Sequence, residues 1–235
     1  MNTKSLNEVL QDLCLSEAPL NERLAAFSAV LRVQAVPYAD AYDVLVARLK
    51  AGEAGANAPG EGDDMPDFAL PDANGSLVTL EDLTSNGPVV VSFNRGHWCE
   101  YCAIELSAFQ QAAAEFKALG AQVVAIMPET RAFIAKAQAR TRHEFPIVSD
   151  VDNSFALSMG LVIWLGETVK TLFQQDGLDL VLSQGPAAWF VPIPATFVVG
   201  PSLKIIARYV DPDFRRRMDI DAIIAALKRA TPPAS

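Results

Sequence analysis

Apolar and polar positions recur along this chain with two different periods. Over the first fifty residues the period is helical. Leu6, Val9, Leu10, Leu13 and Cys14 share one stripe, Leu24, Phe27, Val30 and Leu31 a second after Ala18-Pro19, and Tyr42, Val44, Leu45 and Leu49 a third that begins at Pro37. A helical extension is therefore predicted over 1–50. Residues 51–65 are rich in glycine, alanine and acidic side chains, carry no period and read as a linker. From residue 66 to 235 short apolar runs alternate with helical ones, the pattern of an α/β domain with a central sheet flanked by helices. Phe68-Ala69-Leu70 and Leu77-Val78-Thr79-Leu80 flank the turn signal Asp72-Ala73-Asn74-Gly75 and suit a hairpin. A buried strand is predicted at Val89–Phe93, a helix from Ala103 to Leu119 ended by Gly120, and a strand at Gln122–Met127. A helix from Glu129 to Arg140, a short strand at Pro146–Asp150 and a brief helix from Asn153 to Met159 follow. Between 161 and 190 the rhythm breaks: Leu161 to Leu180 has helical spacing and Ser183-Gln184-Gly185-Pro186 reads as a loop, so this stretch is read as an insertion. The alternation resumes with a strand at Ala195–Val199, a turn at Gly200-Pro201-Ser202, a strand at Lys204–Val210 and a terminal helix from Ile220 to Arg229.

Composition narrows the function classes. A 235-residue chain with 51% hydrophobic and 20% charged residues is a folded protein with a substantial core. The net charge of −9 disfavours nucleic acid and anionic membranes as partners. No apolar run is long enough to span a bilayer, and Met1 to Glu8 lacks the charged and apolar regions of a secretory signal, so a cytoplasmic location is the default expectation. Three cysteines cannot form a disulfide framework. The three helical stripes of the extension need an apolar partner, either the domain itself or a second subunit; a homodimer is expected.

The chemistry concentrates in Trp98-Cys99-Glu100-Tyr101-Cys102, placed between the strand at Val89–Phe93 and the helix that follows. Residues i and i+3 share a helical face, so the two sulfurs can approach within disulfide range. Unsatisfied N–H groups and the positive end of the helix dipole favour thiolate over thiol there. A zinc site would also use C-x-x-C, but only Cys14, His97 and His143 remain as companions and no second C-x-x-C exists. Redox chemistry is the better reading, and no cofactor is expected. Cys14 lies on the apolar stripe of its helix and reads as a small buried hydrophobe rather than a resolving thiol. His97 reads as a loop histidine with a base as the alternative, and Arg215-Arg216-Arg217 as a loop that forms salt bridges. No dinucleotide-binding or phosphate-binding glycine motif is present.

Pro194 directly precedes the strand at Ala195–Val199, where a proline fits only an edge, a bulge or a cis bond. With the C-x-x-C, this brings a family into view. Met65-Pro66-Asp67-Phe68-Ala69-Leu70, the run from Pro88 to Cys102, Glu105-Leu106 and Ile193-Pro194-Ala195-Thr196-Phe197-Val198 resemble the peroxiredoxin-like branch of the alkyl hydroperoxide reductase C/thiol-specific antioxidant (redoxin) family, over about two thirds of the chain. The resemblance implies a thioredoxin-like fold with Pro194 as a cis-proline. Carried over residue by residue, the peroxidatic cysteine of peroxiredoxins falls on Cys102, their Thr/Ser on Cys99, their proline on Arg95 and their site arginine on Pro194. Thioredoxins place the attacking thiol at Cys99, the resolving thiol at Cys102 and a cis-proline at Pro194, and Trp98 follows their pattern too. Glu100 stands where this branch has proline and Asn94 where it often has tyrosine.

These residues imply a thiol-dependent antioxidant enzyme. Cys99, expected to be exposed at the helix start, would attack a peroxide or a disulfide, and Cys102 would resolve the product as an intramolecular disulfide. Arg95 would stabilise the thiolate or else bridge to a carboxylate, Trp98 would pack over the pair, and Pro194 and Thr196 would shape the groove opposite. A thioredoxin- or glutathione-type electron donor is implied. The alternatives are a thiol-disulfide oxidoreductase acting on protein disulfides and a non-enzymatic interaction module on a redox fold.

Overall fold

A computed structural model of the protein describes residues 4–141 and 143–230. Met1, Asn2 and Thr3, part of the stretch read for a targeting signal, lie outside the described residues. Helix α1 (Leu6–Leu15) starts at a reciprocal cap: the Ser5 hydroxyl accepts from the Glu8 N–H at 3.3 Å and the Glu8 carboxylate accepts from the Ser5 N–H at 2.8 Å. Helices α2 (Leu20–Gln34) and α3 (Val36–Ala51), the latter with Pro37 in its first turn, complete the extension. Residues 51–65 form a run of turns tied to the last strand of the sheet, with the Gly62 N–H on the Ile205 carbonyl and the Met65 N–H on the Leu203 carbonyl, both at 2.8 Å.

Strands β1 (Ala69–Pro71) and β2 (Leu77–Thr79) pair as the expected antiparallel hairpin, followed by the short helix α4 (Leu80–Thr84). Then come β3 (Val89–Phe93), α5 (Glu100–Ala118), β4 (Gln122–Met127), α6 (Arg131–Thr141), β5 (Ile147–Ser149) and α7 (Ser154–Ser158). The chain continues through β6 (Val162–Trp164), α8 (Glu167–Gln175), α9 (Val181–Gln184), β7 (Phe190–Pro192), β8 (Ala195–Val199), β9 (Ile205–Val210) and α10 (Ile220–Ala230).

The central sheet has the order β5-β4-β3-β8-β9. Strands β3, β4 and β5 run parallel, β8 runs antiparallel to β3, and β9 antiparallel to β8. Side chains alternate between its faces. Val90, Ala125 and Val198 join Phe109 and Phe116 of α5 and Ile223 and Leu227 of α10 on one side. Val91, Phe93, Val124 and Phe197 join Phe68, Leu80 and Phe155 on the other. Burial on both faces explains why β3, β4 and β8 read as near-continuous apolar runs. A third cluster joins α1, α2 and α3 to the start of α5 and to α8 through Leu24, Phe27, Tyr42, Leu45, Cys99 and Phe173. Among the described residues, no helix is long and apolar enough to cross a membrane.

Three sequence expectations change. Residues 162–164 form a strand paired with β7 rather than a helix, and Ser183 and Gln184, expected in a loop, complete a helical turn at Val181–Gln184. The bond before Pro194 is trans, since no described peptide bond is cis. The reason is the path of the chain: β7 is already extended, and the Ile193 N–H donates to the Leu161 carbonyl at 2.7 Å, so the backbone enters β8 without reversing direction. Nor is β8 an edge strand. Pro194 stands just ahead of it, where its missing N–H costs the ladder nothing.

Candidate active site

Because Phe93 pairs with Ala195, the loop leaving β3 and the residue entering β8 share one end of the sheet. That loop, Asn94 to Trp98, delivers Cys99 to the N-cap of α5, where its Sγ accepts from the Cys102 N–H at 3.4 Å. The two residues sit one turn apart and the Cys102 thiol donates to the Cys99 Sγ at 2.7 Å, both sulfurs being thiols. Arg95 donates to the same Cys99 Sγ from Nε at 3.4 Å and Nη2 at 3.3 Å. Gly96 holds a φ of +135°, and a Cβ there would come within 2.6 Å of Trp98 Nε1 and 2.8 Å of Glu129 Oε1. Only glycine lets the loop close this tightly.

On the Cys102 side stands Arg217, from the loop between β9 and α10. Its Nη2 lies 3.7 Å from the Cys102 Sγ, and its Nε donates to Glu105 Oε2 at 3.0 Å. The Thr196 hydroxyl donates to the other Glu105 oxygen at 3.4 Å. Asn21 of α2 fixes this loop from outside, accepting from the Arg217 N–H at 3.1 Å and donating to the Arg217 carbonyl at 3.0 Å.

Charge within this group is nearly balanced by the thiolate. Burial alone would raise the Cys99 pKa, but the hydrogen bond from Cys102 and the Arg95 and Arg217 guanidiniums outweigh it and lower it to about 5. Burial pushes the Cys102 thiol well up, and its hydrogen bond to Cys99 and the neighbouring thiolate charge push it further, against the two guanidiniums. Burial also raises Glu105, opposed by Arg217. Two buried cations therefore face one carboxylate, and ionising Cys99 restores neutrality.

The cover is aromatic and comes from outside the sheet. The Arg95 guanidinium lies 3.7 Å from the Phe214 ring centroid and 5.1 Å from that of Trp98. Phe214 meets Tyr42 of α3 edge-on, Tyr101 meets Phe27 of α2, and Trp98 meets Phe173 of α8. Gln184 of α9 donates to the Arg95 carbonyl at 2.9 Å. As a result Cys99 and Cys102 are each only 1% exposed. This corrects the expectation that Cys99 is exposed: the extension and the 161–190 segment lie across the helix start.

The structure thus brings Arg95, Trp98, Cys99, Cys102 and Thr196 together, with Pro194 buried at the same end of the sheet. Cys14 is half-buried and packs against the cluster around α1 and α2. His97 leans on Glu129. Sequence reasoning assigned no role to Glu105, Glu129, Gln184, Phe173 or Phe214, and read Arg217 only as part of a salt-bridged loop. Glu105 carried a usable signal, since it lies one turn beyond Cys102 on the same face of α5. Arg215 does form the expected loop salt bridges, to Asp213 at 2.7 Å and Asp43 at 2.6 Å. Among the described residues, no three His, Cys, Asp or Glu side chains come together as a metal would require.

A mixed sheet of this order, with a C-x-x-C pair capping the helix after its central strand, defines a thioredoxin-fold thiol oxidoreductase. More narrowly, the chain belongs to the AhpC/TSA family, whose model matches residues 61–208. The thiol-disulfide oxidoreductase ResA of Bacillus subtilis is 27% identical over 154 residues, which cover 65% of this chain and 69% of that protein. A Mycobacterium tuberculosis protein that carries a peroxiredoxin name is 33% identical over 131 residues, 52% of this chain and 85% of that one. Among solved structures, peroxidoxin BcpB of M. tuberculosis superposes with a TM-score of 0.56 at 25% identity, covering 72% of this chain and 96% of its own. A peroxiredoxin 6 of Arenicola marina shares the fold at a TM-score of 0.58 and 16% identity, covering 72% of each chain.

Proposed function

We propose that the protein reduces small hydroperoxides through its dithiol, with Cys99 as the attacking thiol and Cys102 as the resolving one. One observation carries the choice: Cys99 is 1% exposed and lines a cavity of about 20 Å³ with His97, Cys102, Leu106 and Met127. That is room for the two oxygens of a peroxide group at the end of a small molecule, whereas a protein disulfide cannot reach the sulfur without displacing the cover. The Cys99 thiolate attacks one peroxide oxygen, forming an S–O bond as the O–O bond breaks. Cys99 becomes a sulfenic acid and the departing oxygen leaves as water or alcohol after taking a proton. Cys102 then displaces the hydroxyl as water and closes the disulfide, which an external thioredoxin- or glutathione-type dithiol reduces. Arg95 and Arg217 hold the thiolate; Pro194, Trp98 and Thr196 shape its surroundings.

Likeness to ResA favours a second reading, exchange with protein disulfides through the same Cys99. The two separate in one experiment on the reduced protein. Loss of hydrogen peroxide, followed in stopped flow, is expected to vanish in Cys99→Ser and to reach one equivalent per chain in wild type and in Cys102→Ser, ending in a disulfide in the first and in a sulfenic acid in the second. Wild-type consumption no faster than that of a free thiol, with insulin disulfides reduced instead, sinks the peroxidase reading.

A further inference from the structure

His97 is held in the site by a partner that the cysteine motif does not explain. Glu129, in the turn after β4, is fully buried and spends both carboxylate oxygens on this one residue. Its Oε2 accepts from the His97 backbone N–H at 2.9 Å, and its Oε1 stands 2.5 Å from His97 Nδ1. With the carboxylate as acceptor, Nδ1 carries the hydrogen, so Nε2 is the ring atom left to exchange a proton. The ring packs against Phe133 of α6, centroids 5.2 Å apart. It also lines the cavity of about 20 Å³ that opens on Cys99 and Cys102. Apart from the two thiols, His97 is the one titratable side chain among the described residues lining that cavity.

We infer that His97 is the proton carrier of the peroxide step and that Glu129 is its positioning residue. The inference rests on the peroxidase reading. As the thiolate attacks, His97 Nε2 takes the proton that the attacked peroxide oxygen gives up. As the thiolate forms its S–O bond and the O–O electron pair leaves with the distal oxygen, that oxygen takes the proton from Nε2. The thiol is oxidised to sulfenic acid, the peroxide is reduced to water or alcohol, and the imidazole ends neutral. The arrangement has the logic of a nucleophile–base–orienter set. It also answers a need of the site: expelling hydroxide or alkoxide into a cavity this small without a proton is costly.

The test compares leaving groups in the full-length reduced protein. Hydrogen peroxide expels hydroxide, which needs a proton; peracetic acid expels acetate, which does not. His97→Asn keeps a donor for Glu129 where Nδ1 stands and removes Nε2. It is expected to slow the first turnover with hydrogen peroxide by about 100-fold or more while changing that with peracetic acid by less than about threefold. Alkylation of Cys99 by iodoacetamide, which needs only the thiolate, is expected to keep its wild-type rate. Glu129→Gln, which retains a carbonyl for Nδ1, gives the same substrate pattern with a smaller loss. If the His97→Asn rates for both peroxides and for alkylation fall together, the residue is structural and the inference is overturned; an unchanged hydrogen peroxide rate overturns it equally. A wild-type protein that reacts with neither peroxide overturns the peroxidase reading and the relay with it.

Discussion

The half of the site borne by the sheet and the half that covers it contribute different things. Strands β3 and β8 and the start of α5 supply Arg95, Cys99, Cys102, Glu105 and Thr196, all on one rigid end of the sheet. The cover, made of α2, α3, α8, α9 and the loop before α10, supplies Phe27, Tyr42, Phe173, Gln184, Phe214 and Arg217. On the proposed reading the first half carries the atoms that react. The second takes them out of water and adds the second cation, and both effects act on charge: burial opposes the thiolate while Arg217 favours it. The reactivity of Cys99 is therefore a property of the seam, and variants on either side move it in different ways.

Removing the cover's cation is expected to have the largest effect. Arg217→Met leaves Glu105 buried without its ion partner, which costs roughly 3–5 kcal/mol of stability where such a pair is broken. Urea unfolding measures the loss, and Glu105→Gln on top of Arg217→Met is expected to restore part of it. A single variant as stable as wild type would show that the cover is not coupled to the sheet through this pair. Phe173→Ala comes next. The ring is 3% exposed and touches Trp98, Tyr38 and Trp189, so truncation is expected to cost about 3 kcal/mol, the low end for a buried phenylalanine because α8 lies at the surface and can settle inward. Its diagnostic readout is access. Alkylation of Cys99 at pH 8 is expected to accelerate by about tenfold for each 1.4 kcal/mol that the docked cover loses.

The same division decides what was legible in the sequence. Strands β3, β4 and β8 are bounded as the apolar runs predict, because each is buried on both faces and its neighbours are turn or cap residues. The C-x-x-C, the loop arginine and the proline lie within or beside those strands, so local pattern locates them. The cover is different. Val162–Trp164 is a three-residue strand inside a stretch whose spacing suits a helix, and only pairing with β7 twenty-eight residues later reveals it. Of three consecutive arginines, Arg216 is exposed, Arg215 meets two aspartates and Arg217 turns inward. What selects Arg217 is a clamp from Asn21, nearly two hundred residues away in the chain. Burial of Cys99 is likewise non-local, since Phe27, Tyr42, Phe173 and Phe214, which cover it, come from segments far before and far after it in the chain.

Smaller effects follow from titration. Cys99 has its pKa lowered from 9.0 to about 5 on folding. Between those values the unfolded chain holds a proton that the folded one lacks, so this group adds stability that grows as pH rises from about 5 to about 9 and disappears as pH falls through about 5. Relative to Cys99→Ser, the reduced wild-type protein should gain stability from pH 5 to pH 8 in urea unfolding. Arg95→Leu removes a direct partner of the sulfur, and the alkylation midpoint of Cys99 should move up by about 1 pH unit or more, about 1.4 kcal/mol per unit. A midpoint that stays in place would assign the thiolate to Cys102 and Arg217 alone.

The smallest effect is expected at His143, beside the cleft where α5 meets α1 and Gln111 donates to the Cys14 and Ser16 carbonyls at 3.1 and 3.2 Å. His143 lies on the sheet side, facing a cleft whose other wall is α1, with Leu10 and Cys14 opposite. It is 6% exposed, stacked on Phe145 at 4.8 Å, and among the described residues neither ring nitrogen has a hydrogen-bond partner. Burial holds its pKa down at about 4, below the ordinary 6.5. Between these values the unfolded chain binds the proton more readily, so the histidine lowers stability progressively as pH falls from about 6.5 to about 4. His143→Leu removes two unpaired polar atoms, a gain of about 1 kcal/mol, and gives up a ring contact worth about as much. Equal stability near pH 7 is therefore expected, with the variant ahead of wild type at pH 4.5, both read from urea midpoints. A loss above about 2 kcal/mol at pH 7 would mean that the ring nitrogens are bonded across the cleft, adding to the polar contacts that Gln111 makes there.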